Sequence, residues 1–219
     1  MRLLLIRHGQ TPSNVAGKLD TASPGPELTG LGLQQAARIP HALADRPVDA
    51  IFASTLVRTQ LTAQPLSTAR AVEPIVLGGL HEIEAGALEG RSDREAVRAY
   101  LETAFAWGLG DLDVLMPGGD SGHAFFDRYD ADIATVAARV DDTAVVVSHG
   151  AAIRVWVAGR AVNIKPTFTA EHELDNTGVV ELTGSPAEGW TLVSWQGSPV
   201  GGDYLADAAG EGPAGNPLR

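Results

Sequence analysis

Two short apolar runs with no polar interruption, Leu3-Leu4-Leu5-Ile6 and Ala144-Val145-Val146-Val147, dominate the hydrophobic pattern of the chain. Hydrophobic without alternation, they read as strands buried on both faces, the kind that occupy the centre of a parallel sheet. Shorter strands are predicted within Asp49 to Ser54 and from Ile75 to Leu77, with a final pair, Val179 to Leu182 and Thr191 to Trp195, meeting across a turn at Gly184 to Gly189. Helical signals fall between them. Thr29 is placed to cap a helix with apolar positions Leu31, Leu33, Ala36, Ala37 and Ile39, running up to Pro40. Ser54 or Thr55 caps the next, with Arg58 in its first turn; others are predicted from Asp93 to about Trp107, Ser121 to about Val140 and Ala151 to about Gly159. Residues 12 to 27, with three prolines and two glycines, read as a loop with one helical turn near Ser13 to Gly17.

Each of the two apolar runs ends in a histidine followed by glycine, Arg7-His8-Gly9 and Ser148-His149-Gly150. Ligands of parallel sheets bind outside the carboxyl ends of the strands. If the two strands run the same way, both imidazoles emerge at that edge beside the Arg7 guanidinium, and the glycines let the backbone approach a ligand closely. One such histidine would be unremarkable as a hydrogen-bonded strand-end residue; the pair with an arginine is a candidate catalytic cluster. Arg58, at the start of a helix that follows a strand, faces the same edge.

Composition narrows the chemistry. The 219 residues suffice for one sizeable core, and the lack of cysteine excludes disulfides, thiolate nucleophiles and cysteine-bound zinc. Arg7 interrupts the first apolar run too early for a signal-peptide core, and no stretch approaches the ~20 apolar residues of a membrane span, so a cytoplasmic location is the default expectation. A formal charge of -11 argues against general nucleic-acid or anionic-membrane binding. An anionic substrate must therefore be drawn in by a local cationic cluster. No metal-binding spacing is present, and none is assigned.

The motifs in their order resemble the histidine phosphatase superfamily, also called the phosphoglycerate mutase-like family. They are Arg7-His8-Gly9-Gln10-Thr11 with Asn14; Ser54-Thr55-Leu56-Val57-Arg58-Thr59 with Thr62-Ala63; Leu80-His81-Glu82 with Gly86, Glu89 and Gly90; and Ser148-His149-Gly150. Leu28-Thr29 with Gly32 and Gln35-Ala36, and Asn176 ahead of an apolar strand, agree with it. Gly119-Asp120-Ser121 departs from the Gly-Glu-Ser that many relatives carry. The resemblance implies that His8 is the nucleophile that forms a phosphohistidine, with Arg7, Arg58 and His149 catalytic beside it. Arg7, Asn14, Arg58, His149 and Gly150 would bind the substrate's phosphate. Of three neighbouring acids, Glu82, Glu84 and Glu89, only Glu82 is in the family's register for the proton donor and acceptor. No cofactor is implied.

Pattern and resemblance together imply an α/β three-layer sandwich with a mostly parallel central sheet and helices on both faces. The expected division is a single domain over residues 1–196 and a flexible Gly/Pro/Ala-rich tail over 197–219. The expected activity is hydrolysis of a small phosphorylated metabolite. A phosphoglycerate mutase-type phosphotransferase is the first alternative, disfavoured because the mutases it would resemble carry a longer insertion, rich in basic and aromatic residues, between the acid and the second histidine. Between Ala99 and Gly122 this chain has no Lys or Arg. A non-catalytic phospho-ligand binding protein on the same fold is the second alternative. The natural substrate and the oligomeric state stay open, a homodimer included.

Overall fold

The protein is described here by a computed structural model, which defines residues 1–206 and 212–215. Six strands form one sheet: β1 (Arg2–Arg7), β2 (Ala50–Ser54), β3 (Ile75–Leu77), β4 (Thr143–Ser148), β5 (Val179–Ser185) and β6 (Gly189–Gln196). Their spatial order is β3-β2-β4-β1-β5-β6, parallel from β3 through β1 and antiparallel at β5 and β6. The two apolar runs are thus the central neighbours β1 and β4, with Leu3 to Ile6 and Ala144 to Val146 fully buried. Burying one such Leu, Ile or Val side chain contributes roughly 1.5–3 kcal/mol, so these two strands specify the middle of the sheet by themselves.

Seven helices complete the described chain: α1 (Pro12–Val15), α2 (Gly30–Ala42), α3 (Val57–Arg70), α4 (Arg94–Gly108), α5 (Gly122–Ala137), α6 (Gly150–Arg160) and α7 (Phe168–Glu171). Successive strand residues point to opposite faces, and two cores result. Leu4, Ile6, Ile51, Ala53, Val145 and Val147 pack against Ile39 and Leu43 at the end of α2 and Ala63 and Leu66 of α3. Leu3, Leu5, Phe52, Ala144 and Val146 pack against α4, α5 and α6 through residues such as Phe105, Phe125 and Trp156. This is the three-layer sandwich expected.

The caps predicted at Thr29 and Asp93 are in place, their side chains accepting from the backbone N–H of Gly32 and Ala96, and Ser121, the expected start of α5, caps it by accepting from that of Ala124. Two details differ. Helix α2 continues through Pro40 to Ala42, and Leu33 is exposed while Gln35 is buried. Helix α3 has Leu56 at its N-cap with no side-chain cap, in place of the expected Ser54 or Thr55; Ser54 Oγ instead meets Thr59 Oγ1 and His149 Nε2.

The expected flexible tail lies partly outside the described residues. Of those described, Leu205 is buried, its carbonyl accepting from Gln35 Nε2 at 2.8 Å, and the Ala214 carbonyl accepts from Arg154 Nη1 at 2.9 Å.

Candidate active site

Register brings the strand ends into line. Arg7 pairs with Ser148 across β1 and β4, so His8 and His149 leave the sheet side by side, their ring centroids 5.3 Å apart. Ala53 of β2 pairs with Val147, which sets Ser54 next to that edge, and Ser54 pairs with Leu77 of β3, so that the turn Gly78–Leu80 delivers His81 and Glu82 there. Arg7, His8, Asn14, Lys18, Asp20, Glu82 and Tyr100 share one small cleft at this edge, with Pro213 and Ala214 in its wall.

His8 is oriented by its own neighbour: Nδ1 lies 2.8 Å from the Gly9 carbonyl. A carbonyl only accepts, so Nδ1 carries the proton, and the lone pair of the neutral ring is on Nε2. The backbone is held too, with the Gly9 N–H donating to Thr62 Oγ1 at 2.9 Å and Asn176 Nδ2 donating to the His8 carbonyl at 2.8 Å. Burial, then the charges of Arg58 and Arg7, push the His8 pKa well below its usual value. Burial, Arg58 and His8 do the same to His149.

His149 Nε2 meets Ser54 Oγ at 2.7 Å, while its Nδ1 is buried with no hydrogen-bond partner. Arg58 donates through Nη2 to the Asp20 carbonyl at 2.9 Å; its Nε and Nη1 are buried without hydrogen bonds, Nη1 lying 3.9 Å from the Asp20 carboxylate. A buried donor left unbonded costs about 1–3 kcal/mol, more for a charged one. Retaining several such atoms on residues beside His8 is what a site built for an acceptor-rich anion requires. Arg7 is anchored by a 2.7 Å bond from Nη1 to the Leu174 carbonyl.

The three acids separate cleanly. Glu82 is buried: Oε1 accepts from the N–H groups of Ile83 (2.9 Å) and Ala152 (2.8 Å), and Oε2 from that of Ala151 at 3.2 Å. It therefore caps the amino end of α6 from a distant segment, and Oε2, with one long bond, is the oxygen with room for a proton. Glu84 is exposed beside His81. Glu89 accepts from the Thr21 hydroxyl and from the Thr21 and Ala22 N–H groups, which makes it a brace for the loop before α2.

Asn14 closes a capping box with Thr11 on α1, placing its amide at the cleft. The glycines permit close approach of other parts of the chain rather than showing approach of a ligand: at Gly9 a Cβ would sit 2.7 Å from the Gly32 carbonyl of α2. At Gly150 a Cβ would sit 3.0 Å from the Ala214 carbonyl and 3.1 Å from Arg7 Nε. Sequence reasoning gave Ser54 only a capping role and assigned none to Thr62 or Asn176 individually, although all three lie in motifs it singled out. It missed Arg128 and the wall residues Pro213 and Ala214 altogether. Among the described residues, no group of three or more His, Cys, Asp or Glu side chains could hold a metal ion, and no helix is long and apolar enough to cross a membrane.

The buried imidazoles have a consequence for stability. Both fold with lowered pKa values, whereas the unfolded chain holds histidines of pKa about 6.5. As pH falls below that value the unfolded state takes up protons that the native state refuses, so stability is lost on acidification, by up to about 1.4 kcal/mol per pH unit for each group. Thermal melts from pH 7.5 to 5 should show this slope, flattened in His8→Gln/His149→Gln. An unchanged slope in that variant would mean that the histidines are not held neutral.

A doubly wound α/β scaffold with two histidines, two arginines and a carboxylate at the carboxyl edge of its sheet defines a class of phosphoryl-transfer folds. Residues 3–197 match the profile of the histidine phosphatase superfamily (branch 1). An adenosylcobalamin/alpha-ribazole phosphatase of Salmonella typhimurium is 31% identical over 72% of this chain and 78% of its own length. A PE-PGRS family protein of Mycobacterium tuberculosis, PE_PGRS11, is 42% identical over 93% of this chain, which spans only 38% of that relative. Among solved structures, a mycobacterial glucosyl-3-phosphoglycerate phosphatase superposes with a TM-score of 0.75 at 25% identity, covering 90% of this chain and 99% of its own. The chain belongs to branch 1 of the histidine phosphatase superfamily.

Proposed function

We propose that the protein is a phosphomonoesterase that hydrolyses a small phosphorylated metabolite through a phosphohistidine on His8. The observation that carries this reading is the set of buried, unbonded nitrogens, two on the Arg58 guanidinium and Nδ1 of His149, beside a histidine whose Nε2 lone pair is available. Phosphoryl transfer needs a nucleophile in line with the leaving oxygen and cations around the equatorial oxygens. His8 Nε2 attacks phosphorus as the P–O bond to the leaving group breaks. Arg7 and Arg58 offer planar forks to the equatorial oxygens, with His149 and the Asn14 amide as further donors. Glu82 gives its proton to the departing oxygen; then, as carboxylate, it takes a proton from the water that attacks the phosphohistidine, and His8 leaves as neutral imidazole. Inorganic phosphate is the second product.

Alpha-ribazole phosphate and glucosyl-3-phosphoglycerate, the substrates that the names of two similar proteins imply, are both small phosphate esters, which supports the metabolite class. Hydrolysis rather than isomerisation is favoured because no Lys or Arg lies between Ala99 and Gly122 to close over a bound anion and exclude water. We assign residues 1–196 to the catalytic domain, with wall contributions from beyond it.

Release of phosphate from nitrophenyl phosphate and from a metabolite panel tests this. Activity should survive excess EDTA, and phosphoglycerate, where accepted, should be hydrolysed. Robust interconversion of 2- and 3-phosphoglycerate would overturn the phosphatase reading in favour of a mutase. A requirement restored only by added magnesium or manganese would overturn the metal-free mechanism.

A further inference from the structure

Arg128, on α5, stands outside every motif that suggested the function, yet it holds the segment that carries Glu82. Its Nη1 donates to the carbonyls of Gly79 at 2.5 Å and His81 at 2.9 Å, and its Nη2 to that of Glu82 at 2.9 Å, while the guanidinium stacks 5.1 Å over the Phe125 ring. Three carbonyls from four consecutive residues converge on one cation. Such an arrangement of like dipoles is unfavourable without the positive charge at its centre.

The same face of α5 grips Gly79 from the other side. Asp132, one turn on from Arg128, accepts from the Gly79 N–H at 2.5 Å, and a Cβ at Gly79 would collide with the Arg128 carbonyl. Below it, Ser148 Oγ donates to the Leu80 carbonyl at 2.8 Å. The Glu82 backbone is thereby fixed by Arg128, and its carboxyl group by the amino end of α6. One helix sets where the residue begins and another sets where it ends.

We infer that Arg128 is a positioning residue for proton transfer: its planar fork, spanning the Gly79, His81 and Glu82 carbonyls, holds the Glu82 carboxyl group where it meets the leaving oxygen. Arginine is required because the fork bridges carbonyls that a single ammonium would not span with the same geometry. The inference rests on the reading of Glu82 as the acid.

The test uses alkyl and nitrophenyl phosphates with the full chain. A general acid matters for a poor leaving group and little for nitrophenolate, and its contribution is typically 10²-fold or more. Arg128→Met should lower kcat on the alkyl ester by about 10²-fold and on the nitrophenyl ester by less than about 5-fold. Arg128→Lys, which keeps the charge and much of the length, should show the same split at roughly 10-fold. In Glu82→Gln, adding Arg128→Met should cost little more on the alkyl ester, since the proton donor is already gone. Equal losses on both esters from Arg128→Met, or from Arg128→Lys if the methionine variant does not fold, would overturn the inference. So would fully additive losses in the double variant. If Glu82→Gln shows the split and the Arg128 variants do not, Arg128 alone is misassigned; if Glu82→Gln shows no split, the acid reading itself falls.

Discussion

Replacing His8 with alanine should abolish turnover and phosphoenzyme formation while leaving the fold intact. The imidazole lies just past the end of β1, and its one side-chain bond in the described structure runs to the carbonyl of its own neighbour, Gly9. Its removal takes the nucleophile but no part of either apolar core. The reaction would have to proceed by direct attack of water, so a loss of about 10⁴-fold or more in kcat is expected, at least ~5.5 kcal/mol of barrier. His149→Ala should be less severe, because Arg7 and Arg58 remain to hold the phosphoryl oxygens. Steady-state kinetics, circular dichroism and quench-trapping of labelled phosphoprotein check these outcomes together. Retention of activity within about tenfold of wild type, only about 1.4 kcal/mol, would show that the nucleophile lies elsewhere.

Glu82→Gln should produce the second large effect, and a selective one. Glutamine keeps the size of the side chain and can still accept from the Ile83 and Ala152 N–H groups, but it has no proton to give. Alkyl phosphates, whose leaving oxygen must be protonated, should lose roughly 10²-fold or more in kcat, whereas phosphoenzyme formation from nitrophenyl phosphate should lose far less. Because the same carboxylate activates water in the second step, acid-labile, base-stable phosphohistidine should accumulate from the activated ester. Glu84→Gln removes an exposed carboxylate, and Glu89→Gln weakens the brace on Thr21; neither should show the split between esters. Equal loss on both esters by Glu82→Gln, with nothing trapped, would leave it a shaping residue and make His81 the next acid to test.

Local signals account for most of the fold that could be anticipated. An uninterrupted run such as Leu3 to Ile6 has no polar face to show to water, so it fits the centre of a sheet covered on both sides, and it lies there. Thr29, Asp93 and Ser121 satisfy N–H groups three residues on, an interaction complete within one turn, and they begin their helices where expected. Pro40 misled for the same reason: its cost falls on one bond, and the tertiary packing of Ile39 and Leu43 carries α2 past it.

The candidate site was legible in part, through residues whose chemistry is unusual where they stand: His8 and His149 each directly follow a buried strand, and Arg7 and Arg58 flank strand ends. By itself, then, the sequence determined the elements, the two central strands and the cationic inventory, because these depend on side-chain type and on neighbours a few positions apart. Only the tertiary structure decided the partnerships. Ser54 reaches His149 across 95 positions, Glu82 caps a helix that begins 68 positions later, and Arg128 folds back to cradle the carbonyls of Gly79, His81 and Glu82. Each requires the strand order β3-β2-β4-β1, which sets segments distant in the chain side by side. That order is chosen by how two apolar cores close over both faces of one sheet, a global packing condition that no local periodicity encodes.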